Sequence, residues 1–202
     1  MDKKKIFFIA PSFYFGKEEF LEAVAPLKRN FEIVYREDMF QKWFGFAGRP
    51  ERRIEEFNEA IHSNADIVWA VRGGYGVTQI INELDFNRKD KKTFIGFSDF
   101  TLIGIKAHRN GNPFIYGPMP YTFEKQKTGL KELLEMVEGE EKREFTLEGQ
   151  KDLKGRAFPA CLTLLVNSIG TSCRPEIEEG SVLFLEDVNE EAYKLERDIL
   201  HL

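Results

Sequence analysis

Five short apolar runs, separated by stretches with helical spacing, constrain this chain more than any other feature. They fall at residues 6–10, 31–35, 66–71, 93–97 and 113–116. The intervening segments 17–29, 50–62, 77–84 and 100–108 carry apolar residues at the spacing of a helix face. The segment 50–62 opens on Pro50, which suits the first helical turn because no N–H is needed there. Strands that are apolar on both faces and alternate with helices predict a parallel sheet covered on both sides. The expected fold class is therefore α/β, with a Rossmann- or flavodoxin-like parallel sheet in the N-terminal domain. In such sheets ligands meet the carboxyl ends of the strands.

The rhythm changes after Gly117-Pro118. One more helix is expected at 126–138, and the charged, turn-like stretch 139–143 reads as a boundary. This gives an α/β N-terminal domain at 1–140 and a partial C-terminal domain at 141–202. Runs at 145–147, 156–169 and 181–188 make the second unit β-rich. Asn189 is placed to cap a last helix, along which Ala192, Leu195, Ile199 and Leu202 form an apolar stripe. The stripe meets no glycine or proline stop signal, so the second domain reads as incomplete.

The composition narrows the function classes. The chain has 202 residues and a net charge of -5, with 42% hydrophobic and 31% charged residues. Interspersed charge of that sign argues against nucleic acid as a partner. No run approaches the ~20 apolar residues of a membrane span. Lys3-Lys4-Lys5 precedes an apolar run too short for a signal-peptide core, which points to the cytoplasm. Cys161 and Cys173 lack metal-ligand spacing and read as reduced thiols.

The stretch Gly96-Phe97-Ser98-Asp99 ends a predicted strand and opens a predicted helix. That layout lifts a serine hydroxyl out of the sheet, as in a nucleophile elbow. The Asp99 amide then lies at a helix start, where it can stabilise an oxyanion. The plainer alternative has Ser98 capping the helix. Residues 72–76 read Arg-Gly-Gly-Tyr-Gly. Gly73 and Gly74 let backbone approach a ligand, or simply turn the chain. Arg72 is able to hold a carboxylate bidentately or to form a structural salt bridge. Glu186 stands at a strand end near a helix start, where a carboxylate is favoured in any case. The aromatic segment 40–46 reads as core, pocket wall or dimer surface. His62 is expected to meet the carbonyls at its helix end. His108 lies about 15 Å along the helix from Ser98 at 1.5 Å per residue, and His201 sits in the last helix.

Five motifs occur in order: Ala47-Gly48 with Arg53, Arg72-Gly73-Gly74-Tyr75-Gly76, Gly96-Phe97-Ser98-Asp99, Gly117-Pro118-Met119 and Leu185-Glu186-Asp187. This set resembles the LD-carboxypeptidases of peptidase family S66, whose relatives include the microcin C self-immunity peptidases. The likeness runs from about residue 6 to the end of the chain. It implies a serine peptidase that removes a terminal D-amino acid from cytoplasmic muropeptides during cell-wall recycling. Ser98 would be the nucleophile, and Glu186 would orient a histidine. Amides near Gly73, Gly74 and Asp99 would hold the oxyanion, and Arg72 would bind substrate. No metal and no cofactor is implied, the partner is a muropeptide or other small peptide, and a homodimer is expected.

Two departures favour an alternative. The family's histidine lies in a Gly-His segment that none of His62, His108 and His201 matches. Its Gly-Gly-Asn-Leu stretch is replaced by Gly155-Arg156-Ala157-Phe158-Pro159-Ala160-Cys161-Leu162. A catalytically incomplete relative that binds a peptide or protein is the second reading. A small-molecule hydrolase on the same scaffold is the third.

Overall fold

The computed structural model describes residues 3–88, 90–139 and 154–202. The elements of the first part are β1 (Lys4–Ile9), α1 (Lys17–Val24), β2 (Phe31–Val34), β3 (Lys42–Trp43), β4 (Phe46–Ala47), α2 (Pro50–His62), β5 (Ile67–Ala70), α3 (Val77–Ile80), β6 (Thr93–Gly96), α4 (Thr101–Arg109), β7 (Phe114–Tyr116) and α5 (Lys127–Glu138). The second part contains β8 (Ala157–Cys161), α6 (Leu162–Ser168), β9 (Val182–Glu186) and α7 (Ala192–His201).

Strands β2, β1, β5, β6 and β7 form one sheet in that order, and every pairing in it is parallel. The chain steps to one side of β1 and then to the other, so the order reverses between β1 and β5. That is the switch point at which doubly wound sheets place their ligands.

Alternation along each strand splits the core into two layers. Phe7, Ile9, Val68, Ala70 and Phe94 face Phe57 of α2, Ile80 of α3 and Ile103 of α4. Ile6, Phe8, Ile67, Trp69 and Ile95 face Phe20 of α1 and Leu133 of α5. Trp69 is fully buried, and its indole N–H donates to the Pro118 carbonyl at 2.9 Å. A buried indole needs such a partner.

The small second sheet consists of β8 and β9, paired in parallel and joined through α6. Ala160 and Leu165 join the core layer on the α4 side of the large sheet. The Cys161 amide donates to Thr101 Oγ1 at 3.1 Å, which ties β8 to the start of α4.

Several sequence expectations are corrected. Only the first part of 156–169 is a strand, because α6 begins at Leu162. A short apolar run does not by itself distinguish a strand from a buried helix. The helix expected at 77–84 is four residues long, Val77–Ile80. Residues 25–29 of the first expected helix form a 3-10 turn carrying Pro26. Asn189 caps nothing: it has φ 62, and α7 starts from an extended Glu191. The strand expected at 145–147, and all but the first residue of the expected boundary stretch, lie outside the described residues.

Candidate active site

Gly96 ends β6, and its lack of a side chain is required. A Cβ there would sit 2.6 Å from the Phe100 ring. Phe97 is extended, and Ser98 then enters the left-handed region with φ 57. A serine in that conformation is strained by about 1–3 kcal/mol unless its surroundings hold it. A 3-10 turn over Ser98–Phe100 leads directly into α4. Strand, strained serine and helix thus follow in the order the sequence predicts, and Ser98 is half-buried at the carboxyl end of its strand.

The glycine loop after β5 lies against this turn. A Cβ on Gly73 would stand 3.2 Å from Ser98 Oγ. Gly74 has φ 116, and a Cβ on it would enter the Phe13 ring at 2.3 Å. The loop therefore passes between Ser98 and Phe13; Gly74 admits no side chain, and one on Gly73 would press on Ser98. This brings Gly73, Gly74, Ser98 and Asp99 together beside the switch point.

The Asp99 side chain turns inward, a role the sequence did not disclose. Its Oδ2 accepts from Ser12 Oγ at 2.6 Å and from the Val77 N–H at 2.9 Å. Its Oδ1 is buried and has no hydrogen-bond partner among the described residues. Burial pushes the carboxyl up to about 6, against the pull of Ser12, Val77 and Arg53. One carboxyl group thereby joins the ends of β1, β5 and β6.

Arg72 pairs with no carboxylate among the described residues, so the salt-bridge alternative is not what the fold builds. Its guanidinium donates to the Tyr14 carbonyl at 3.0 Å and lies 4.2 Å from the Tyr121 ring centroid. Such stacking holds a cation in place without neutralising it.

Glu186 ends β9 and reaches the same place from the other sheet. Its Oε1 accepts the Tyr116 hydroxyl at 2.5 Å, and the Tyr116 oxygen accepts the Ser98 N–H at 3.0 Å. Burial raises the Glu186 carboxyl above the ordinary carboxylate value, while the Tyr116 donation opposes that rise. Burial, reinforced by Glu186, lifts the Tyr116 phenol well above its usual value. Tyr116 is a site residue that sequence reasoning missed; a tyrosine beside Gly117-Pro118 gave no signal. The neighbouring Asp187 is structural, because its Oδ2 accepts from the Thr163 N–H at 2.9 Å and caps α6. A cavity of about 690 Å³ opens beside Glu186 and Tyr116, lined also by Phe97, Lys125 and Gln126.

None of the three histidines reaches Ser98 or Glu186 through a hydrogen bond among the described residues. His62 meets Asp85 at 3.1 Å rather than the carbonyls of its own helix end. His108 lines a separate cleft with Phe114 and Arg156. His201 is exposed near the end of α7. No group of three or more metal-ligating side chains occurs among the described residues.

Comparison with known proteins decides the family. Residues 6–117 match the LD-carboxypeptidase N-terminal domain, and residues 154–202 match the LD-carboxypeptidase C-terminal domain. The chain belongs to the LD-carboxypeptidase family. Among its relatives is a murein tetrapeptide carboxypeptidase of Pseudomonas aeruginosa, 32% identical over 174 residues, covering 77% of this chain and 57% of that protein. A probable murein peptide carboxypeptidase of Bacillus subtilis is 29% identical over 165 residues, 75% of this chain and 51% of that protein. The chain thus spans about half the length of the curated relatives it matches. The muramoyltetrapeptide carboxypeptidase of Oxalobacter formigenes superposes with TM-score 0.82 at 28% identity, covering 98% of this chain and 70% of that one. The microcin C7 self-immunity protein, solved with glutamyl sulfamoyl guanosine, superposes with TM-score 0.81 at 20% identity, which establishes a shared fold.

Proposed function

We propose that this chain carries the nucleophilic half of a serine-type LD-carboxypeptidase acting on muropeptides. The observation that supports it most is Ser98, held at φ 57 at a strand end with Gly73 against its hydroxyl. In this reading Ser98 Oγ attacks the carbonyl of the bond to the terminal D-residue, and the amine of that residue leaves. The resulting acyl-enzyme is released by water. The amides near Gly74 and Asp99 take the oxyanion. Arg72 offers its stacked guanidinium to the terminal carboxylate of the peptide. Glu186 orients the imidazole that accepts the Ser98 proton, and His62, His108 and His201 do not supply that imidazole. The names of the relatives, murein and muramoyl tetrapeptide carboxypeptidases, support a muropeptide substrate and a role in cell-wall recycling. A cytoplasmic homodimer is the form we assign on the family resemblance alone; no helix among the described residues is long and apolar enough to cross a membrane.

A second reading, a relative that binds a peptide without cleaving it, is favoured by the same three misplaced histidines. Incubation with an L,D-tetrapeptide, followed by mass spectrometry, separates the two. Slow loss of terminal D-alanine that disappears in Ser98→Ala is expected, at about 10⁴-fold or more below a complete triad. D-alanine release that survives Ser98→Ala overturns the nucleophile. Tight peptide binding with no release at all establishes the second reading.

A further inference from the structure

Tyr116 joins segments that are far apart in the sequence. It is the last residue of β7, 18 positions from Ser98 and 70 from Glu186. The directions of its two hydrogen bonds are fixed by chemistry. The Ser98 amide only donates, and an ionised carboxylate only accepts, so the phenol accepts from one and donates to the other. The ring is set by packing, with Phe97 at 6.1 Å and Phe114 at 6.0 Å between centroids. The position of the hydroxyl therefore comes from apolar contacts, and its polar bonds are added to them. Thr101 Oγ1 stands nearby and accepts the Cys161 amide, so the start of α4 and the end of β8 close on the same point.

Two features make this tie consequential. The amide that Tyr116 holds belongs to Ser98, a non-glycine residue in the left-handed region. The carboxylate it holds stands on β9, where Leu183, Phe184 and Leu185 are 37–39% exposed and packing gives little restraint. Neither group is fixed by its own element alone.

We propose that Tyr116 is a positioning residue that registers Ser98 and Glu186 to each other through one hydroxyl. The inference rests on the reading of Ser98 and Glu186 as site residues. Tyr116 touches neither substrate nor the scissile bond in this role. It takes Glu186 Oε1, which leaves Oε2 as the oxygen that orients a base. It also holds the Ser98 backbone in the turn that presents Oγ.

The test is Tyr116→Phe in the 202-residue chain, which keeps the ring and deletes the hydroxyl. Exchange of the Ser98 amide proton, followed by NMR, is expected to accelerate about tenfold or more, because the amide loses its acceptor. The Glu186 carboxyl, followed by carbon-13 NMR, is expected to titrate at higher pH, because its ionised form loses a donor. Asp187, Cys161, Glu124, Lys125 and Lys127 also face Glu186 or its cavity, and they are unchanged in this variant, so the shift reports the hydroxyl. A tyrosine that only fills space would leave both NMR readouts where they were, because phenylalanine fills the same space; that result overturns the proposal. Should Tyr116→Phe fail to fold, Glu186→Gln reads the same tie from its other end. The Tyr116 ring carbon bearing the hydroxyl must then shift, and an unmoved resonance overturns the proposal. Survival of D-alanine release in Ser98→Ala would remove the nucleophile yet leave both NMR readouts standing, so the two failures are distinct.

Discussion

The strands Ile67–Ala70 and Val182–Glu186 have the same kind of sequence and opposite surroundings. The first, Ile-Val-Trp-Ala, is buried at every position. The second, Val-Leu-Phe-Leu-Glu, leaves Leu183, Phe184 and Leu185 each more than a third exposed. Both read as central strands of a parallel sheet, apolar on both faces. The difference lies in what stands beside them. β5 has a strand on each side and a helical layer on each face, whereas among the described residues β9 pairs only with β8. An apolar run specifies that a strand forms; the neighbours decide how much its burial contributes.

The comparison has energetic consequences. Trp69→Ala deletes a fully buried indole and its bond to Pro118, and the expected loss is about 3–5 kcal/mol in urea unfolding. Phe184→Ala, made on a side chain already 39% exposed, is expected to cost about 1 kcal/mol. Equal losses at the two sites would break the contrast.

A pH effect of intermediate size belongs to the buried side. The folded-state pKa of Asp99 is raised to about 6 from an ordinary 3.8. The fold therefore holds a proton that the unfolded chain releases, and this contribution is present below about pH 4 and lost as pH rises to about 6. Two pH units correspond to about 3 kcal/mol at most. Denaturation of the parent and Asp99→Asn at pH 4.5, 6 and 7.5 checks it. The parent should weaken relative to the variant as pH rises, and a constant difference would show that Asp99 does not titrate in this window.

The smallest effect sharpens the exposed side. Leu200 is 80% exposed and Ile199 58% exposed on α7, so changing both to lysine should alter stability by no more than about 0.5 kcal/mol. A drop of several kcal/mol in the same urea experiment would mean that this face is covered in solution.

Much of the large sheet was legible because its signals are local. Pro50 opens α2 and the apolar spacing carries it to His62, as expected. The glycine loop at Gly73-Gly74 and the turn at Ser98 meet because both follow strands that are neighbours in the sheet. The parts that were not legible depend on distant partners. Arg52 and Glu56 drew no attention in the sequence, yet both are buried, bonded to each other and to the backbone of Ala10. A buried ion pair of that kind requires a strand end with an unpaired amide and carbonyl, which helical spacing does not reveal. Tyr116 escaped notice for the same reason, since its two partners come from the turn after β6 and from the end of β9. The helix α6 was hidden because Leu162-Thr163-Leu164-Leu165-Val166 has no period that excludes a strand.

The knot at Asp99 also sets an order of events during synthesis. Ser12 and Asp99 lie 87 positions apart in the chain, and Val77 lies 22 before Asp99. At usual ribosomal rates Ser12 is made on the order of ten seconds before its acceptor exists. During that interval Arg53 bridges the β1 end and the glycine loop through the Pro11 and Gly76 carbonyls at 2.8 and 2.9 Å, but nothing yet ties either of them to the serine turn. The residue immediately after the serine thus adds the tie that brings the nucleophile turn to a β1 end and a glycine loop already joined to each other.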